Sequence, residues 1–211
     1  MKYTPRFAKK EIKENHSYFN ERIGLYKSLG LDFTNSREFI IKKSKPLRGN
    51  ILEVGSGNGY TTLALAKAGY KFISIDNDRE ALKKSALNLA YDKLLSSVEF
   101  YLMDGKRLSF DNGSFRNIVI VNLFHHIDKI DDILSEADRV LCVDGKAVMA
   151  DFNKKGMEMI NSVHKKEGRI HEDFNVTKDY VHSYYKNLGY EIKDYNDKYH
   201  WLLIAEKKIQ Q

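Results

Sequence analysis

Cysteine occurs once in this chain of 211 residues, at Cys142, which excludes an intramolecular disulfide and a zinc site built from several cysteines. Proline occurs twice, at Pro5 and Pro46, and there is neither a low-complexity segment nor an internal repeat. No apolar run approaches the length that spans a bilayer, so no membrane partner is expected. Residues 1–10 lack an apolar stretch and a cleavage pattern, so a secretory signal is not expected there. With a lone cysteine, the expected setting is the reducing cytoplasm. Acidic residues are scarce at the start. Residues 1–48 hold 12 Lys/Arg against 5 Asp/Glu, whereas the whole chain stands at only +6, so the remainder is close to neutral. A basic segment suits an anionic partner, either RNA or an anionic small molecule. The competing reading is a solvated face of an amphipathic helix, and the interleaved Tyr3, Phe7, Tyr18, Phe19 and Tyr26 have spacings that also suit packing.

What the chain does have is a strand, a glycine turn and a helix in close succession. Ile51 to Val54 is apolar except for Glu53; Gly55, Gly57 and Gly59 alternate; Leu63, Leu65 and Ala66 then recur at helical spacing, and Gly69 stops the run. Glycine tolerates positive φ and has no Cβ, so backbone in such a turn can approach a ligand closely. The N–H groups of the following helix would face that ligand. Asp76 closes the next apolar run, at the distance where an acid accepts hydrogen bonds from ribose hydroxyls.

The length fits one domain with a small cap. Residues 8–30 predict one or two helices through Ile12, Phe19, Ile23 and Tyr26, ending at Gly30. A short helix over 36–44 is expected, with Ser36 as N-cap and Glu38 in its first turn. Residues 1–48 thus form a helical cap or lid, and 49–211 the core. From Asn50 onwards strands at about 50–54, 71–75, 98–102, 118–121 and 145–150 alternate with helices at 59–68, 79–90 and 129–140. Continuous apolar strands indicate a parallel sheet covered on both faces. A helix over 154–166, a second one capped by Thr177, and strands at 190–195 and 200–205 complete the chain.

Glu53-x-Gly55-x-Gly57-x-Gly59 resembles motif I of the class I S-adenosylmethionine-dependent methyltransferases, of the small-molecule, methyltransferase type 11-like kind. The resemblance extends over about residues 50–205. It implies an α/β, Rossmann-like, doubly wound, seven-stranded sheet, mostly parallel with an antiparallel last strand. It also implies S-adenosylmethionine as cofactor, held by Glu53, Gly55, Ser56, Gly57, Asn58 and Gly59. Asp76 and Asn77 would serve the ribose, Met103, Asp104 and Gly105 the adenine, and Asn122 and Leu123 the methionine end. Leu141-Cys-Val-Asp-Gly145 is similar to the family's turn before the fifth strand. Two departures stand out: Arg116 replaces the usual Asp, and Asn122-Leu-Phe-His125 stands where enzymes acting on planar amide or adenine nitrogens carry Asn/Asp-Pro-Pro-Tyr. Those nitrogens drop out as acceptors.

Methyl transfer from a sulfonium is an in-line displacement, which needs positioning, plus a base where the acceptor must lose a proton. His125 and His126 follow the fourth core strand, at the carboxyl edge where ligands bind, and are candidate catalytic residues. His164 is a third. His164, Glu167 and His171 would share a face if one helix ran through them, making a candidate divalent-metal set. Tyr18, His16 and Arg22 could fold over the cofactor from the cap. The expected function is methyl transfer to an O, N or S of a small or medium molecule. The alternatives are an RNA methyltransferase that uses the basic N-terminal block, or a non-catalytic cofactor-binding regulatory protein. The oligomeric state is left open.

Overall fold

A computed structural model describes residues 1–166 and 176–208. Among the described residues eight strands form one sheet in the order β1-β4-β3-β2-β5-β6-β8-β7. β2 (Ile51–Val54), β3 (Phe72–Asp76), β4 (Val98–Leu102), β5 (Phe115–Val121) and β6 (Leu141–Phe152) are parallel. β8 (His200–Glu206) runs antiparallel between β6 and β7 (Glu191–Asn196). The antiparallel last strand is as expected, but the sheet has eight strands rather than seven. The extra one, β1 (Lys2–Tyr3), pairs antiparallel with β4. Two residues carry no period, so no pattern could announce it.

The helices are α1 (Lys9–Ser28), α2 (Phe33–Ser44), α3 (Tyr60–Lys67), α4 (Arg79–Tyr91), α5 (Asp131–Val140), α6 (Lys154–Lys166) and α7 (Lys178–Asn187). Thr177 caps α7 by accepting a hydrogen bond from the Tyr180 amide, as its position suggested. α2 begins earlier than expected: Asp32, not Ser36, is its N-cap and accepts from the Asn35 amide at 3.1 Å, while Ser36 is buried inside the helix. β6 also begins earlier. The Val143-Asp-Gly145 stretch is no turn before the strand but a bulge within it, taken up where Leu141 pairs with Phe115 and Lys146 with Asn117.

The central strands are apolar because helices cover both faces: every residue of β2 is buried. One buried cluster joins β2, β5, β6 and β8 to α5 and α7. A second joins α3 and α4 to Ile40, Ile41 and Leu47 of the N-terminal block. A third packs Tyr26, Leu31 and Phe33 against Phe152, Ile160, Val163 and Tyr199. No helix among the described residues is long and apolar enough to cross a membrane.

The strand order sets the site. The chain moves outward from β2 to β3 and β4, then returns to β5 on the other side of β2. Connections leaving the carboxyl ends of β2 and β5 therefore diverge, which opens a crevice between them.

Candidate active site

Two cavities lie along this crevice and meet at Gly55 and His126, which line both. The first, about 360 Å³, is bounded by Asp76, Asn77, Met103, Asp104, Gly105 and Leu123. The second, about 280 Å³, is bounded by the Ser56–Asn58 loop, Asn122, His125 and His164, and on the cap side by Arg22, Tyr26, Phe33 and Arg37.

At the first cavity Asp76 organises the glycine loop. Its Oδ2 accepts from the Gly57 amide at 2.8 Å and from the Ser56 hydroxyl at 3.3 Å, and its Oδ1 accepts from the Asp78 amide at 2.9 Å. Asp104 Oδ1 accepts from the Lys106 amide at 2.9 Å, fixing the turn after β4. Farther along that loop, Arg139 of α5 donates to the Leu108 and Phe110 carbonyls, both at 2.8 Å. Each carboxylate retains lone-pair capacity for a further donor.

The glycines divide their work. Gly57 has φ +49°, and a Cβ built there meets nothing within 4 Å, so its open side is where a ligand can come against backbone. Gly59, at φ +80°, lies on neither cavity; a Cβ there would stand 2.8 Å from the Ser85 Cα in α4. Its small size serves helix packing rather than a ligand. Glu53 also lines neither cavity. It is buried below the loop, where its Oε2 accepts from Thr62 at 2.8 Å and Ser74 at 2.6 Å. Burial pushes its carboxyl up to about 7, against the opposing pull of those hydroxyls. Its place is therefore structural, tying β2, β3 and α3 together.

At the second cavity Asn122 adopts φ +55°, a left-handed conformation that asparagine tolerates better than most residues. Its buried Oδ1 has no hydrogen-bond partner, and such an atom at a cavity wall calls for a donor from a bound molecule. His125 Nδ1 lies 2.6 Å from Asp151 Oδ1, and the His125 amide donates to Asp151 Oδ2 at 3.1 Å. Both residues are buried. A carboxylate on Nδ1 holds that nitrogen protonated and makes Nε2 the basic one. The His126 ring packs on His125 with centroids 4.0 Å apart.

Other expected residues fall elsewhere. Tyr18 is 53% exposed and lines neither cavity, but it shares a small pocket with Arg22, Asn58 and Tyr60, which line the second. His16 stacks on Tyr91 of α4, with ring centroids 3.3 Å apart. Arg22 does reach the second cavity, where it donates to the Tyr26 hydroxyl. His164 lines that cavity too, but Glu167 and His171 lie outside the described residues. Among the described residues no three His, Cys, Asp or Glu side chains gather as a metal site.

Sequence reasoning missed Asp151 as the partner of His125, and Arg37, Phe33 and Tyr60 as cavity walls. The first had a usable signal: β5 and β6 pair with Val121 opposite Ala150, so the residues that follow them are neighbours. A third cavity, about 770 Å³, lies between α1, α2 and α3 and shares Phe33, Arg37 and Tyr60 with the second.

The glycine loop at a topological switch point, with acids at the ends of β3 and β4, is the architecture of a nucleoside-binding α/β core. Residues 52–149 match the family model described as Methyltransferase domain, so the likeness falls on the stretch from β2 into β6. One relative is the ubiquinone/menaquinone biosynthesis C-methyltransferase UbiE of Rickettsia prowazekii, 32% identical over 136 residues, or 60% of this chain and 53% of the relative. The chain spans about half the length of the curated relatives it matches. Among solved structures, PH0226 of Pyrococcus horikoshii OT3 superposes with a TM-score of 0.69 at 18% identity, covering 86% of this chain and 94% of its own. Phosphoethanolamine N-methyltransferase 2 of Haemonchus contortus, solved with S-adenosyl-L-methionine, gives 0.64 at 15% identity over 83% of this chain and 53% of its own. At these identities the superpositions speak for the fold.

Proposed function

We propose that this protein is a methyltransferase that binds S-adenosylmethionine along the two joined cavities and methylates a small or medium molecule. The observation that carries the reading is the crevice itself: acids at one end, a glycine loop with an open backbone face in the middle, and a buried His–Asp pair at the other. Asp76 would receive the ribose hydroxyls and Asp104 the adenine amine. The backbone at Gly55–Asn58 and the unpartnered Asn122 Oδ1 would receive the amino-acid end. Bound S-adenosylmethionine would supply the methyl electrophile.

His125 Nε2 is the candidate base that takes a proton from the acceptor, with Asp151 holding the tautomer. The second cavity is too small for the amino-acid end together with a bulky acceptor, so the body of the acceptor extends past Phe33 and Tyr60 toward the larger cavity. Carbon joins O, N and S among the acceptor atoms because the curated relative is a C-methyltransferase. Residues 1–48 would form one wall of the acceptor pocket. A divalent metal held in part by His164 is a subsidiary proposal, checked by metal analysis before and after His164→Ala. The lone Cys142 supports a cytoplasmic setting.

Calorimetry with S-adenosylhomocysteine is the first test, and no binding to the intact protein would overturn the reading. Labelled methyl transfer to an acceptor panel follows. With any acceptor that must lose a proton, Asp151→Asn is expected to lower kcat about 10²- to 10⁴-fold, while S-adenosylhomocysteine affinity holds.

A further inference from the structure

The cavity of about 770 Å³ lies outside the glycine loop and is walled by one face of each of three helices. On α2 its lining runs from Phe33 through Ile41 to Lys42 and Lys45, and on α3 from Tyr60 through Leu63 and Ala64 to Lys67, at helical spacing along a single face. Both faces start at the same end, where the Phe33 and Tyr60 rings stack 4.7 Å apart on the border of the second cavity. Both finish among lysines. Phe33 to Lys42 and Tyr60 to Lys67 are helical stretches, so the two ends lie about 10–14 Å apart. Apolar helix faces normally pack on another element. Here Ile23 of α1, with Leu63 and Ala64 of α3, stays half-buried along the cavity wall.

The far end is cationic. Among the described residues Lys42 and Lys45 pair with no carboxylate, whereas Lys67 is neutralised by Asp92 at 2.8 Å. Glu38, exposed one turn before Lys42, is the other acid on the described wall, so the lysines outnumber it. Lysines at the end of a helix often serve its carbonyls. That task falls to Lys146, whose Nζ donates to the Ser44 and Pro46 carbonyls at 2.9 and 3.1 Å. Lys42 and Lys45 are left for an anion.

We propose that this cavity is a channel for a single-chain anionic amphiphile. Its apolar chain lies between α1, α2 and α3, its anionic group meets Lys42 and Lys45, and its other end passes Phe33 and Tyr60 into the second cavity. The inference rests on the methyltransferase reading and gives the acceptor a chemical class: an extended apolar molecule with an anion about a channel's length from the atom that takes the methyl group. The charge also draws such a molecule to the lysine mouth.

The test uses the full-length protein, free and with S-adenosylhomocysteine, and reads affinity by calorimetry and ligand-observed NMR below micelle-forming concentrations. Hexanoate, octanoate and decanoate should tighten about fourfold for each added methylene that the channel buries. Decanoate should lead decyltrimethylammonium, with 1-decanol between them. Two variants, each first checked for a cooperative thermal transition, then place the chain. Ala64→Trp fills the channel and should weaken decanoate at least about tenfold, leaving S-adenosylhomocysteine affinity as in wild type. Joint Lys42→Gln and Lys45→Gln should remove the lead of decanoate over the cation, and keep 1-decanol. Decanoate that binds wild type no better than hexanoate overturns the proposal without recourse to any variant. So does decanoate that ignores Ala64→Trp in a folded protein, or a cation that binds as well as the acid. A dimer in sedimentation that Ala64→Trp dissociates, with no dependence on chain length, would give the cavity to a second copy of this chain and overturn it too. Failure of wild type to bind S-adenosylhomocysteine would instead fall on the methyltransferase reading, and the chain-length series on the free protein would still judge the channel.

Discussion

Glu53 illustrates how one residue can belong to a binding motif without touching the ligand space. It sits at the end of β2 with 1% of its surface exposed, and two hydroxyls hold one carboxylate oxygen while the other has no partner. Desolvation raises its pKa from 4.5 to about 7. Between those values the folded chain keeps a proton that the unfolded chain has released. The stability contributed by Glu53 is therefore complete below about pH 4.5 and is lost as pH rises through about 7. A shift of this size corresponds to about 3 kcal/mol. Glu53→Gln fixes the uncharged form and should shed the penalty. Urea unfolding of both proteins from pH 4.5 to 8 should show the variant gaining on wild type by up to about 3 kcal/mol across that window. Parallel curves would mean that Glu53 is not protonated in the folded state. Taking the difference cancels His200, whose lowered pKa acts in the opposite sense.

Elements place these residues, and the turn between β2 and α3 is where sequence and structure can be compared most closely. The alternating glycines, Asp76, Asp104 and Asn122 were readable because each stands at the carboxyl end of an apolar strand, where the parallel sheet collects its loops. What a linear reading could not separate was ligand approach from helix approach, since both ask for glycine. Gly57→Ala places its Cβ in open space at the price of a left-handed alanine, about 1 kcal/mol. Gly59→Ala adds a 2.8 Å collision with α4 backbone to a similar strain. The expected outcome is a crossed pattern. Gly57→Ala keeps most of its stability but binds S-adenosylhomocysteine weakly. Gly59→Ala loses more than about 2 kcal/mol of stability, and its residual folded fraction binds nearly as wild type does. Chemical denaturation and calorimetry on the same samples decide it. Arg37 and the His125–Asp151 pair were hidden for a different reason. One lies on a helix whose start was misplaced by three residues, and the other joins positions 26 apart through the pairing of two strands.

At the scale of the molecule, the basic N-terminal block looks separable by charge but not by packing. Its surplus of Lys/Arg marks residues 1–48 as different from the rest. Yet Ile40, Ile41 and Leu47 belong to the same buried cluster as Ile51, Leu65 and Val119, and Tyr26, Leu31 and Phe33 close over Phe152 and Ile160. Each such side chain contributes about 1.5–3 kcal/mol when buried. Six of them therefore approach or exceed the roughly 5–15 kcal/mol that holds a whole domain folded. A chain of residues 49–211 should show no cooperative melt by circular dichroism and should bind a hydrophobic dye, as a collapsed but unpacked chain does. The full-length protein should melt in one transition. A sharp transition for the fragment would make the block a detachable lid after all. The same reasoning changes how an RNA partner has to be tested, because truncation would remove the fold together with the charge. Exposed Lys9, Lys10 and Lys13 can be replaced by alanine instead. An RNA contact through them would appear as weaker binding with a shallower dependence on salt, while the melting transition stays where it was.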